Sequence, residues 1–186
     1  LSPYKLSGKN LCPNASPGCI DGCLNTSGHG RFDKTQEARL KRSHFFIKDK
    51  FGFMKQLIKE IKAFERHCKK RKLKPAIRLN GTSDIPWENI KLQDPKKTWS
   101  PLINIFEYFP KVQFYDYTKS KKRALNQSLP VNYHLTFSRS EKTSNDDLFT
   151  LIKSRVSCCV VFKKTIPKTF EGFLVFDGDK TDLRFL

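Results

Sequence analysis

The chain has 186 residues, and 36 Lys and Arg against 18 Asp and Glu give a formal charge of +18 with a pI near 9.8. That length fits one domain over residues 1–186, and 38% hydrophobic residues including 16 Phe supply a core, which excludes wholesale disorder. No apolar run reaches the roughly 18 residues needed to cross a bilayer, so no membrane partner is expected. Leu1-Ser2-Pro3-Tyr4-Lys5 lacks the pattern of a secretion signal, which leaves a cleaved leader open, and six sparse, unevenly spread cysteines point to a reducing cytoplasm as the expected location.

In chain order, Tyr4 to Leu6 reads as a short strand. Residues 7–32 are rich in Gly, Ser, Asn and Pro without an apolar period, which predicts a long loop carrying Cys12, Cys19 and Cys23. A helix is expected from Lys34 to about His44 with Asp33 as its N-cap. A second helix follows, because Phe51, Met54, Leu57, Ile58, Ile61 and Phe64 recur every three to four residues and mark a core-facing side.

Beyond Pro75 the pattern changes to short β-favouring runs at 76–79, 112–115, 133–137, 158–162 and 173–176. Helical segments are expected between the first four, near Trp87 to Leu92, Leu102 to Phe109, Lys121 to Gln127 and Asp146 to Ser154. Strands alternating with helices predict an α/β fold with a mostly parallel sheet. With the early strand the count is about six, which suggests a single-domain partial (β/α) barrel with an N-terminal cysteine-bearing loop.

In a parallel α/β protein the C-terminal strand ends lie on one side, so the polar residues that follow each strand converge there. On this chain they are Asn80, Ser83 and Asp84 after the first main strand, Asp116 and Lys119 at the second, and Ser138 and Arg139 at the third. Each could equally serve as a turn or helix cap; together they are the candidate cofactor- or substrate-binding residues.

Three thiolates in a loop bent by Pro13, Pro17, Gly18 and Gly22 are soft ligands suited to zinc or an iron–sulfur cluster. For zinc, His29 or Cys68 could supply a fourth ligand. Cys158 and Cys159 read as small buried hydrophobes. His134 could face the strand ends or be an ordinary core histidine. No Ser-His-Asp order, phosphate loop or helical His-Glu pair is present, which argues against ordinary hydrolases, kinases and zinc proteases.

The block Leu11-Cys12-Pro13-Asn14-Ala15-Ser16-Pro17-Gly18-Cys19 with Cys23, the run Ile77-Arg78-Leu79-Asn80-Gly81-Thr82-Ser83-Asp84 with Trp87, and Phe114 to Ser120 resemble a tailed-phage family. It is the "gene product eighty-eight" family, distantly similar to radical S-adenosylmethionine enzymes. The resemblance implies a [4Fe-4S] cluster on Cys12, Cys19 and Cys23, S-adenosylmethionine at the strand ends, and a setting in the cytoplasm of an infected host. The cysteine intervals here are six and three residues rather than the usual three and two, and Gly22 stands where an aromatic residue is common.

Two functions are therefore expected to compete. One is an iron–sulfur enzyme of radical type acting on a nucleic acid or nucleotide-bearing substrate. The other is a non-catalytic basic nucleic-acid-binding protein whose zinc or iron–sulfur loop is structural. The runs Lys69-Lys70-Arg71-Lys72 with Lys74, and Lys119, Lys121, Lys122 and Arg123, are the expected phosphate-facing surfaces in either case.

Overall fold

A computed structural model describes residues 1–92 and 102–186. Its framework is a mixed α/β arrangement of six helices and two sheets among the described residues. The cysteine loop is more structured than its composition suggests. It contains α1 (Pro17–Asp21), capped by the Ser16 hydroxyl, and two short 3-10 turns.

Helices α2 (Asp33–Lys48) and α3 (Lys50–Lys70) follow, joined at Asp49, whose carboxylate accepts from the Gly52 amide at 2.8 Å. Asp33 lies inside α2, and Phe32 takes the cap position. On α3 the apolar stripe is only partly inward. Met54 and Ile61 are buried and Leu57 and Ile58 pack beside them, whereas Phe51 and Phe64 are about 40% exposed.

The main sheet comprises β1 (Ala76–Ile77), β2 (Gln113–Thr118), β3 (Tyr133–Ser138) and β4 (Cys158–Cys159), all parallel and neighbouring in sequence order. The crossovers contain α4 (Ile105–Tyr108), α5 (Lys121–Ala124) and α6 (Asn145–Lys153). Two parts of the expected six-stranded arrangement are corrected. Residues 4–6 form turns, with Tyr4 at φ 44°, and supply no strand. The run at 173–176 gives β6 (Phe173–Leu174), which pairs antiparallel with β5 (Thr169–Phe170) in a separate hairpin. Four parallel strands therefore make the main sheet.

Alternation along β2 and β3 gives the sheet two unlike faces. Phe114, Asp116 and Thr118, with Tyr133, Leu135 and Phe137, are buried. Phe114 and Leu135 share a core with Phe46, Met54, Trp87, Ile105 and Phe106, and Phe137 packs with Ala124 and Leu151. Phe106 stacks on Tyr133 at 4.0 Å between ring centroids and meets Phe114 edge-on at 5.0 Å. The opposite face presents Tyr115, Tyr117, His134, Thr136 and Ser138, all half-buried. No helix among the described residues is long and apolar enough to cross a membrane.

Candidate functional site

The cysteine loop docks on the C-terminal ends of the main strands through bonds at three points. The Asp84 amide donates to the Leu11 carbonyl at 2.8 Å, and the Cys12 thiol donates to the Thr82 carbonyl at 3.4 Å. Farther along the loop, Glu141 accepts from the Ser16 hydroxyl at 2.7 Å and the Gly18 amide at 2.9 Å. A Cβ on Gly18 would stand 3.0 Å from a Glu141 carboxylate oxygen, so the absent side chain permits this approach. The second half of the loop is fixed to α2, where Arg39 donates to the buried Asn25 side chain at 2.9 Å.

All three loop cysteines are free and half-buried. Burial raises the Cys12 thiol above its usual value, the bond involving the Tyr4 backbone opposes it, and Asp84, Cys23 and Cys19 raise it further. Cys19 is likewise raised by burial, with Lys119 opposing and Cys23, Glu141 and Asp84 adding to the rise. The cysteines thus sense one another and the strand-end residues. Among the described residues, no three His, Cys, Asp or Glu side chains are gathered closely enough to hold a metal ion.

Beneath the loop lies a buried polar network. Asp84 accepts from the Thr118 hydroxyl and the Lys119 amide, each at 3.1 Å, and pairs with Arg123. Arg123 also grips Glu88 with two bonds, at 2.7 and 2.9 Å. Burial lowers the Arg123 guanidinium, but the Glu88 bond and nearby Tyr133, Glu88 and Asp84 outweigh it and leave it more firmly protonated. Asn80 is 2% exposed; its amides donate to Asp116 at 2.7 and 3.2 Å. Its side-chain oxygen accepts from Ser83, Ile85 and Trp87.

Of the sequence-selected residues, Asn80, Ser83, Asp84 and Asp116 are therefore buried and bonded within the chain. Lys119, Ser138 and Arg139 are half-buried at the strand ends. The Lys119 ammonium donates to the Ser138 carbonyl, the Ser138 hydroxyl and the Arg139 carbonyl at 2.9–3.1 Å. Arg139 bonds Asn145 at 2.9 Å and lies over the Phe170 ring. Cys158 packs with the Phe137 cluster, whereas Cys159 pairs with Ser138 on the other face, where burial raises its thiol against the lowering effects of Ser138, Lys119 and Arg78.

Three of the four cations in the second basic run are engaged within the chain: Lys119 is coordinated as above, Lys121 pairs with Asp147, and the half-buried Arg123 is held in its network, whereas Lys122 is exposed. The run at 69–74 is exposed. Sequence reasoning missed Arg123, Glu88, Glu141 and Ser16 as organisers of the site: Arg123 reads as part of a basic run and Ser16 as part of the cysteine block, and nothing local names their partners. The alternation of Glu88 with the buried Trp87 gives no hint that its partner lies 35 residues away.

The family model described as Gene product 88 matches residues 1–186. The chain belongs to the Gene product 88 family. Comparison with curated proteins and with solved structures finds no match.

Proposed function

We propose that this Gene product 88 protein is an iron–sulfur enzyme of the radical S-adenosylmethionine kind, built on a partial β/α barrel and acting on a nucleotide-bearing substrate. The observation that carries the reading is the placement of three free cysteines on a loop docked over the ends of a parallel sheet, beside Lys119. The donor set fits a cluster chemically: thiolates are the usual ligands of cluster iron, and Cys12 and Cys19, whose thiols burial raises, gain most from a cationic iron centre. Cys12, Cys19 and Cys23 would hold it. When bound, such a cluster supplies an electron for reductive cleavage of the cofactor.

The chain's own residues do the positioning. Ser138 and Arg139 line the mouth and bind the polar end of a cofactor or substrate, Lys119 ties them together there, and Asn80, Ser83, Asp84 and Asp116 hold the strand-end loops rigid from beneath. The exposed run Lys69 to Lys74 and the net charge of +18 favour a polyanionic substrate. The same run favours a second reading, a nucleic-acid-binding protein whose cysteine loop holds structural zinc.

Anaerobic purification with iron and zinc analysis, then paramagnetic resonance of the reduced protein, separates the readings. About four irons per chain and a cluster signal altered by S-adenosylmethionine are expected for the enzyme. Stoichiometric zinc transfers support to the second reading. No bound metal, or metal unaffected by Cys19→Ser, overturns both.

A further inference from the structure

The helices and large apolar residues gather on one face of the main sheet, so the other face must be judged by what covers it. That second face is polar and aromatic, built from Tyr115, Tyr117, His134 and Thr136 with Arg78 beside them. The segment 177–186 lies against it. Phe185 stacks on His134 with ring centroids 4.0 Å apart and planes 3° from parallel, and its tilted contact with Tyr115 is 6.0 Å. Asp182 accepts from the Tyr117 hydroxyl at 2.8 Å and faces Arg78 at 3.6 Å.

These contacts hold the segment lightly. The Arg78–Asp182 pair is 27% and 41% exposed at its side chains, and such pairs contribute little. The flanking Phe176 and Leu186 are 62% and 75% exposed, so the segment anchors no core of its own. His134 Nε2 is buried without a hydrogen-bond partner, and the phenyl ring is stacked above the imidazole plane, not at its edge.

We infer that this face is a binding site for a nucleotide unit, with the base stacked on His134 and the phosphate held by Arg78 and Tyr117. Segment 177–186 occupies that site with an aromatic ring and a carboxylate of matching character. A base offers the His134 ring a flat face of the same kind as the phenyl it would replace, since every base has a π-face. A phosphate takes the Arg78 guanidinium better than one carboxylate oxygen at 3.6 Å does. The net charge of +18 draws such ligands in.

The face continues to the cysteine mouth, since Tyr115, Tyr117 and Lys119 alternate along one strand line and His134, Thr136 and Ser138 along the next. From His134 to Ser138 is four residues, about 13 Å of strand. A strand of nucleic acid seated there would thus direct its neighbouring nucleotide toward Ser138 and the cysteine mouth. The inference deepens the proposed reading by placing its substrate, and it can be tested without any metal.

The full chain, as purified, is titrated with a fluorescein-labelled oligoadenylate of about ten nucleotides, a length within known single-strand site sizes, and separately with AMP. The double variant Asp182→Ala/Phe185→Ala releases the segment. It should bind about tenfold tighter if the face is open about a tenth of the time in the parent. His134→Ala should weaken binding by roughly fivefold to a hundredfold, the range of one base stack removed. Tyr117→Phe in the double-variant background, where the segment is already released, keeps the ring but should weaken binding, and AMP should shift the His134 ring resonances in the parent. Response of the oligonucleotide alone assigns the site to a strand; response of both assigns it to a single nucleotide. Unchanged affinity in the double variant and in His134→Ala, with binding altered only by substitutions in the run Lys69 to Lys74, overturns the inference and leaves the metal-dependent reading untouched.

Discussion

Replacing Arg123 with methionine is the sharpest test of how the site is held together. The guanidinium is 12% exposed at its side chain, and its partners Asp84 and Glu88 are 9% and 6% exposed. Methionine retains most of the packing but leaves two carboxylates without their cation. Asp84 keeps the Thr118 hydroxyl and the Lys119 amide, whereas Glu88 loses both guanidinium bonds. Breaking one side of a buried ion pair costs about 3–5 kcal/mol. In a chain of this size that lowers Tm by roughly 6–20 °C, at about 2–4 °C per kcal/mol. Urea unfolding followed by circular dichroism at about pH 8 and pH 5 measures it. The deficit should narrow at the lower pH, where protonation removes the orphaned charge, and Glu88→Gln in the Arg123→Met background should restore part of it. A loss below about 1 kcal/mol, the level of a surface pair, or a loss of equal size at both pH values with no rescue, would refute the network argument.

Asp116 is raised to about 7 by burial, against the lowering effects of its bond from Asn80 and of nearby Arg78 and Arg123. A carboxyl raised in the folded state loses its stabilising contribution as pH rises through that value. The parent should therefore lose stability relative to Asp116→Asn between about pH 4 and pH 8, and parallel stability curves would reject the assignment. Glu141→Gln weakens the clamp on Ser16 and Gly18, so alkylation of Cys19 by a maleimide should speed up several-fold; an unchanged rate would show that Glu141 does not hold the loop. Changing Lys69, Lys70 and Lys72 to Gln should flatten the salt dependence of DNA binding by about one unit for each phosphate no longer neutralised. Lys119→Gln should instead lower stability with little effect on that slope, and the reverse pattern would show that the second run faces phosphate.

The sequence alone located the four parallel strands approximately, since the expected runs at 76–79, 112–115, 133–137 and 158–162 overlap the observed 76–77, 113–118, 133–138 and 158–159. It also determined that the strand ends would be polar and that three cysteines would share one loop. Composition misled at 4–6 and 173–176: a short apolar run becomes a sheet strand only if a partner edge is available, and here one turns and the other pairs within its own hairpin. Tertiary structure decided which charges are free. Lys119 and Arg123 look like members of a basic run, yet partners 19 to 39 residues away engage them inside the fold, carbonyls and a hydroxyl for Lys119 and two carboxylates for Arg123. Glu141 meets Ser16 across 125 residues, and Asp182 meets Tyr117 across 65. Such contacts have no local signal, since side-chain hydrogen bonding depends on distance in space, which is fixed only when the sheet assembles and its two faces acquire different neighbours.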